Sequence, residues 1–146
     1  MDFLINLDVD DLEQAVDFYG SVFGLRVGRR LAGFAVEMLG GPAPLYLLHK
    51  PAGTPISPAG SQRRHYQRHW TPVHLDFVVE DIEFAVDKAL LHGARLEQPI
   101  TTQVWGKLAL MADPFGHGFC LVQFLGRGYD ELATQTAEAV EPGRCH

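Results

Sequence analysis

The chain has 146 residues and a mass of 16.2 kDa, which suits one domain of ordinary size and is too short for two. Its composition, 47% hydrophobic and 21% charged, excludes a disordered, collagen-like or coiled-coil protein. The net charge of −6 disfavours general binding to nucleic acid or to an anionic membrane, because both attract an excess of Lys and Arg. We predict a single cytoplasmic domain, since the first residues do not resemble a targeting signal and no apolar run is long enough to span a membrane.

The sequence contains an internal repeat. When it is shifted by 70 positions, residues 9–17 align with residues 79–87 and six of the nine pairs are identical. With one gap, Gly24 then aligns with Gly93. We therefore predict two copies of one unit, over about 3–49 and 73–125, with a linker over 50–72 and a tail over 126–146.

Each copy begins with a predicted strand, in which apolar side chains alternate with others, and continues with a helix of apolar residues at helical spacing. Asp11 and Asp81 are predicted N-caps of the helices, and Gly24 and Gly93 are predicted to end them. Three shorter strands follow in each copy, at about 25–31, 34–40 and 44–49, and at about 95–104, 107–112 and 118–125. This order predicts an α+β fold made of two βαβββ modules.

Several short motifs, taken together, are similar to those of one known superfamily. They are residues 9–15, Phe18-Tyr19, Phe23-Gly24-Leu25, 74–81, Trp105-Gly106 and the turn at 113–117, where His117 replaces the usual Asn. On these motifs the chain, over about 3–125, resembles the vicinal oxygen chelate superfamily. This superfamily includes glyoxalase I, extradiol dioxygenases, fosfomycin resistance enzymes and bleomycin resistance proteins. The resemblance implies two curved mixed sheets that enclose a cleft, within one chain or across a homodimer.

Metal-using members of the superfamily carry one ligand on the first strand and one on the last strand of each module, typically His, Gln or Glu. The resemblance places these positions at Leu4, Tyr46, His74 and Cys120. Leu4 has no donor atom, and Tyr46 is a poor ligand because its phenol must first ionise. Since catalytic metal sites usually have three protein ligands, we predict no metal and no other cofactor.

The alternation also divides the strands into a face under the helices and a face towards the cleft. Residues predicted to face the cleft are Leu4, Asn6, Asp8, Phe34, Val36, Met38, Tyr46, Leu48, His74, Asp76, Val78, Cys120, Val122 and Phe124. Such an apolar, aromatic surface with a few polar groups is typical of a small-molecule site.

We predict that the ligand contacts Asn6, Met38, Tyr46, His74, Trp105 and Cys120. The role of His74 is open between a relic ligand position that hydrogen-bonds a neighbour, a ligand contact, and a general base assisted by Asp76. Trp105 either packs at the rim or stacks on the ligand, and Cys120 is interpreted as an inert buried thiol unless it contacts the ligand.

The linker and the tail add two further hypotheses. Residues 63–70 carry Arg63, Arg64 and Arg68 and no acid, so this stretch is either a solvated connection or an arm that brings positive charge to an anionic or planar ligand. The tail contains a predicted short amphipathic helix over 130–140.

The main functional hypothesis is a metal-independent small-molecule binding protein of the bleomycin-resistance-like type, acting as a homodimer. One alternative is a lyase, isomerase or dioxygenase of the glyoxalase type that uses a metal or His74 and Asp76. The other is a non-catalytic interaction module that has kept the fold.

Overall fold

The computed structural model describes residues 1–134, in which the predicted pair of βαβββ modules is present. The first module contains β1 (Ile5–Val9), α1 (Leu12–Phe23), β2 (Arg26–Leu31), β3 (Ala35–Leu39) and β4 (Leu45–His49). The second contains β5 (Leu75–Val78), α2 (Ile82–Leu91), β6 (Arg95–Gln103), β7 (Gly106–Ala112) and β8 (Gly118–Phe124). A turn of 3-10 helix at Gly128–Glu131 follows, and the predicted tail helix lies mostly outside the described residues.

Each module forms its own four-stranded mixed sheet. The strand order is β1-β4-β3-β2 in the first sheet and β5-β8-β7-β6 in the second. The first strand of each module pairs in parallel with the last, and the other pairs are antiparallel. The registers are equivalent, since Asn6 is opposite Tyr46 and Asp76 is opposite Cys120. The repeat in the sequence is therefore a repeat of sheet geometry.

The helices begin where the sequence predicts. Asp11 Oδ1 accepts the N–H of Gln14 at 3.0 Å, and Asp81 Oδ1 accepts the N–H of Phe84 at the same distance. These contacts satisfy amides of the first turn that have no partner within the helix. After α1, Gly24 adopts a left-handed conformation with φ of 66° and turns the chain into β2.

One continuous core joins the two modules under the helices. From α1, Phe18 and Tyr19 are almost fully buried, and Phe23 stacks on Phe77 of β5 with ring centroids 3.8 Å apart. The Tyr19 hydroxyl donates a 2.5 Å hydrogen bond to Asp113 Oδ2, in the turn between β7 and β8. The first module therefore packs on the second within one chain, through aromatic side chains and one buried polar contact.

The structure corrects the predicted facing of β3. Met38 is opposite Leu45 and Val36 is opposite Leu47, and all four side chains belong to the core under the helices. Directly opposite residues of an antiparallel pair share one face, so the register with β4 turns Met38 towards α1. The prediction that Val36 and Met38 face the cleft is wrong, and their neighbour Glu37 takes that side with Tyr46.

The linker is docked on both modules. Residues 53–64 form an irregular hairpin with a bridge between Pro55 and Arg63. Arg64 Nε lies 2.7 Å from Asp8 Oδ2, and Arg68 Nε lies 3.0 Å from Glu97 Oε2. Two of the three linker arginines therefore pair with carboxylates of their own chain. Within residues 1–134, no helix has the length and apolarity needed to cross a bilayer.

Candidate functional site

The cleft face of each sheet, defined as the face opposite its helix, carries the candidate site. On β1 and just before it, Asn6 and Leu4 point to this side and are exposed, Leu4 at 58%. On β5 the equivalent side carries Asp76 and Val78, the latter 64% exposed. Apolar side chains on an unburied sheet face are a common feature of surfaces that contact a ligand or another protein.

A groove of about 460 Å³ lies between β1 and β5, the edge strands of the two sheets. Its apolar walls include Leu7, Val73 and Phe119. Polar groups enter it from both modules and from the linker, and they include Asn6, Asp8, Thr71, His74 and His117. Two of the predicted ligand contacts, Asn6 and His74, therefore line the same groove.

A polar cluster of His74, Asp76 and Cys120 lies on the cleft face of the second module. His74 Nε2 is 3.2 Å from Asp76 Oδ1, and the potential ligand atoms of the three residues lie within 4.8 Å of one another. Cys120 is 8% exposed, and burial, reinforced by the Asp76 carboxylate, raises the pKa of its thiol to about 11. The thiol is therefore protonated at neutral pH, as expected for an inert cysteine.

A second cluster, Arg29, Glu37 and Tyr46, lies on the cleft face of the first module. Glu37 is 6% exposed. Its carboxylate accepts hydrogen bonds from four donor atoms: the Tyr46 hydroxyl at 2.6 Å, Arg29 Nη2 at 2.7 Å, the Arg29 backbone N–H at 3.1 Å and Arg29 Nε at 3.2 Å. Arg29 Nη2 also donates to the Tyr46 hydroxyl at 2.8 Å. The hydrogen bonds from Arg29 and Tyr46 lower the pKa of Glu37 to about 2, so it is a carboxylate at neutral pH.

A β-bulge sets up this second cluster. The register between β2 and β3 shifts between Val27 and Arg30, which leaves Gly28 and Arg29 beside Glu37. A Cβ atom on Gly28 would lie 2.5 Å from Glu37 Oε1, so the carboxylate occupies space that only glycine leaves free. Sequence reasoning missed Arg29 and Glu37. The signal available was Gly28 within a predicted strand, since glycine there often marks a bulge.

The remaining predicted contacts lie elsewhere. Trp105 belongs to an aromatic group at the end of the second sheet, with ring centroids 6.4 Å from Phe124 and 5.1 Å from Tyr129. Met38 is in the core, as described above. The structure thus places Asn6 and Tyr46 side by side in the first sheet and His74 and Cys120 together in the second. Trp105 lies apart from both pairs, at the end of the second sheet.

The four positions that the resemblance assigns to a metal do not fit a chelate shared by the two modules. The first module offers Leu4, which has no donor, and Tyr46, whose hydroxyl already donates to Glu37. That hydrogen bond raises the pKa of the Tyr46 phenol, which makes ionisation for ligation less favourable. Only His74 and Cys120 carry suitable donors, and Asp76 beside them is the third group of that cluster.

Comparisons with known proteins agree with this architecture. A protein of Mycobacterium bovis and one of Mycobacterium tuberculosis, both uncharacterised, are each 32% identical over 133 residues, covering 81% of this chain and 80% and 71% of theirs. A lactoylglutathione lyase from Agrobacterium tumefaciens superposes with a TM-score of 0.58 at 20% identity, covering 84% of this chain and 92% of that one. A fosfomycin resistance protein from Mesorhizobium loti superposes with a TM-score of 0.64 at 18% identity, covering 90% and 96%.

The two solved structures share the fold at low identity, whereas the family match extends to the sequence. The profile of the glyoxalase-like domain matches residues 4–122, which include both modules and the linker. The chain therefore belongs to the glyoxalase-like domain family of the vicinal oxygen chelate superfamily.

Proposed function

We propose that the protein binds a small organic molecule in the groove between β1 and β5, without a metal. The observation that carries this proposal is the groove itself, whose volume of about 460 Å³ is in the usual range for small-molecule sites. Its walls are mostly apolar, and Asn6, Asp8 and His74 supply a few polar groups for orientation. Binding of a compound without catalysing its conversion, as in sequestration of a toxic molecule, requires only such an apolar groove with a few polar groups.

The set of donor atoms supports the proposal of metal independence. A chelate that holds one ion between the modules needs ligands from both, and the two assigned positions of the first module are Leu4, which has no donor atom, and Tyr46, whose hydroxyl already donates to Glu37. In the second module, ion binding by Cys120 would have to displace the proton of a thiol whose pKa is raised to about 11. We therefore assign His74, which lines the groove, to ligand contact rather than to metal binding.

A second candidate function is acid–base catalysis by His74 and Asp76. It is favoured by the contact of 3.2 Å between His74 Nε2 and Asp76 Oδ1, because a carboxylate beside an imidazole supports proton transfer. The exposure of both side chains, 52% and 38%, leaves them accessible to a substrate. Turnover of a ligand found by the binding experiment, lost in the Asp76→Asn variant while binding persists, would favour this second function.

A thermal-shift screen tests the main proposal. Cationic glycopeptides, catechols and glutathione adducts are added to the wild type, to His74→Ala and to the matched control His49→Ala, which alters an exposed histidine outside the groove. A ligand at 100 times its dissociation constant adds about 2.7 kcal/mol of stability, which is readily detected. We expect a hit that His74→Ala weakens and His49→Ala does not. A hit that both variants leave unchanged would contradict the assigned groove.

Elemental analysis of protein purified without chelator tests the second half of the proposal. We expect no stoichiometric transition metal. Stoichiometric Zn, Ni, Mn or Fe that is lost in His74→Ala would overturn metal independence and move the protein to the metal-using branch of its superfamily.

The homodimer predicted from the resemblance is part of the proposal. Leu4 and Val78 are exposed apolar side chains on the cleft faces, at 58% and 64%, and pairing of two chains through these faces would remove them from water. Sedimentation equilibrium is expected to give twice 16.2 kDa. The Val78→Asp variant is expected to sediment as a monomer. A wild type that stays monomeric at every concentration would contradict this part. The cytoplasmic location stays a prediction from sequence.

A further inference from the structure

A row of side chains crosses the cleft face of the first sheet and ends at the proposed groove. In the register of β3, β4 and β1, Glu37 is opposite Tyr46 and Tyr46 is opposite Asn6. Asn6 lines the groove between the modules. Arg29, on the edge strand β2, reaches over β3 to donate to the Tyr46 hydroxyl on β4. Its guanidinium therefore contacts a side chain of β4, the strand next to β1, and β1 borders the groove.

The guanidinium of Arg29 is fixed on one side and open on the other. Its Nε and Nη2 atoms donate to Glu37 and Tyr46, whereas Nη1 has no hydrogen-bond partner within residues 1–134. The Arg29 side chain is 69% exposed, while the Glu37 carboxylate that holds it is only 8% exposed. The buried carboxylate thus orients an exposed cation on the cleft face.

The neighbouring arginine provides a comparison within the same strand. Arg30 points to the helix side and pairs with Glu13, and both side chains are well exposed, at 52% and 72%. Such pairs contribute little and need no special geometry. The Arg29 pair differs because it depends on the bulge in β2 and on the space that Gly28 leaves for the carboxylate. It also buries the Glu37 carboxylate, whose oxygens both accept hydrogen bonds. An ion pair on an edge strand needs none of these features for stability alone.

We propose that Arg29 is an anion-binding residue of the site, and that the ligand carries a carboxylate or phosphoryl-type oxyanion recognised by the open edge of its guanidinium. This inference rests on the proposed function and extends it by naming the ligand class. The guanidinium is a planar fork that suits oxyanions, and charge-assisted hydrogen bonds to it are stronger than neutral ones. Because Glu37 and Tyr46 already hold the side chain, little conformational entropy remains to be lost on binding.

The test is a titration of the ¹⁵N-labelled protein followed by NMR, with phenylphosphonate and benzoate as anionic probes and benzamide as the neutral match. We expect saturable shifts at Asn6, Glu37, Tyr46 and the Arg29 Nε–H signal with both anions, and at least about tenfold weaker binding of benzamide, which corresponds to about 1.4 kcal/mol. Equal affinity for benzamide and benzoate would overturn the inference. So would anion shifts confined to the linker around Arg63.

Two variants and one control complete the experiment. The double variant Arg29→Gln/Glu37→Gln removes both charges together, so that no carboxylate is left buried without its partner. Arg29→Lys keeps the charge but not the fork. We expect anion binding to weaken about tenfold or more in the double variant, partially in Arg29→Lys, and not at all in Arg30→Gln. Urea denaturation of each variant verifies folding, and Arg29→Lys decides the result if the double variant is unfolded.

This inference and the proposed function fail in different ways. If the thermal-shift screen finds a ligand that needs His74 but binds Arg29→Lys and Arg30→Gln equally well, the groove stands and the anion inference is wrong. If the anions bind at Arg29 while no compound depends on His74, the assigned groove is wrong and the anion site stands. Absence of anion shifts in the wild type at the highest soluble concentration overturns the inference directly.

Discussion

Tyr46 and Cys120 occupy equivalent positions in the two modules, on the last strand of each sheet and opposite Asn6 and Asp76. Their surroundings give them different properties. Tyr46 is tied to a carboxylate and a guanidinium, and Cys120 is buried beside the Asp76 carboxylate. The hydrogen bond to Glu37 raises the pKa of the Tyr46 phenol, and burial, reinforced by Asp76, raises the pKa of the Cys120 thiol, so both side chains are neutral.

The raised pKa of Cys120 predicts low thiol reactivity. In the Cys145→Ser variant, where Cys120 is the remaining thiol, alkylation by iodoacetamide at pH 8 should be roughly 100-fold slower than in the urea-unfolded chain, because far less thiolate is present. Asp76→Asn should speed the reaction by removing a nearby negative charge. Asp87→Asn, on the exposed side of α2, serves as the control. A native rate equal to the unfolded rate would contradict the buried, protonated thiol.

The lowered pKa of Glu37 predicts a specific pH dependence of stability. The folded value is about 2, against an ordinary value of 4.5, so between these pH values the unfolded chain binds more protons than the native one. The stabilisation by Glu37 is therefore fully present above about pH 4.5 and is lost as the pH falls through the folded value. Urea denaturation of wild type and Glu37→Gln should give a difference in unfolding free energy that is constant near neutral pH and shrinks in this acid range. A pH-independent difference would mean that the charge of Glu37 has no role.

At the scale of single elements, the two modules differ most in their second strands. The bulge in β2 turns Arg29 to the cleft face and Arg30 to the helix side, where Arg30 pairs with Glu13. β6 also has shifts in register, at Leu96, Gln98 and Thr101, but no equivalent of the Arg29 cluster forms there. The position opposite Cys120 in the second sheet is Leu110, whereas its equivalent in the first sheet is Glu37. This position is therefore acidic on the cleft face of the first sheet and apolar on that of the second.

The bulge predicts that Gly28 tolerates no side chain. In Gly28→Ala the new Cβ would lie 2.5 Å from Glu37 Oε1 and 2.8 Å from Leu39 Cδ1, so the carboxylate or the strand must move. We expect a loss of about 1–3 kcal/mol of unfolding free energy in urea denaturation, typical of overpacking. Gly41→Ala is the matched control, because its Cβ would have an ordinary contact of 3.7 Å and a cost within about 0.5 kcal/mol. Equal stability of the two variants would refute the steric account.

At the scale of the whole molecule, the core under the helices unites modules that have separate sheets. The hydrogen bond from Tyr19 to Asp113 is the polar contact within this core. The Asp113 carboxylate also accepts hydrogen bonds from the backbone N–H groups of Phe115 and His117. Burial raises the pKa of Asp113, and the hydrogen bond from Tyr19 opposes this shift. The linker adds a second connection, through Arg64 to Asp8 and Arg68 to Glu97. We expect the two modules to unfold as one unit.

The Tyr19 contact predicts a measurable coupling of the modules. In Tyr19→Phe, a buried carboxylate loses one donor, and we expect the unfolding free energy to fall by about 1–3 kcal/mol. Circular dichroism, which reports both modules, and the fluorescence of Trp70 and Trp105 should still give coincident transitions. Tyr129→Phe is the control, because Tyr129 is 51% exposed and its hydroxyl has no hydrogen bond within residues 1–134. If Tyr129→Phe lost as much unfolding free energy as Tyr19→Phe, the loss could not be attributed to the hydrogen bond between Tyr19 and Asp113.

The sequence by itself determined the repeat, the order of elements, the caps at Asp11 and Asp81 and the inward residues of β1 and β5. These features depend on local spacing and on side chains within one element, which the sequence displays directly. Tertiary structure decided the facing of β3, because the register with β4 places Met38 under α1 and Glu37 opposite Tyr46. It also decided the cluster around Arg29, since a bulge and contacts between three strands are needed to bring these residues together. The position of the groove depends, in the same way, on how the aromatic core sets one module against the other.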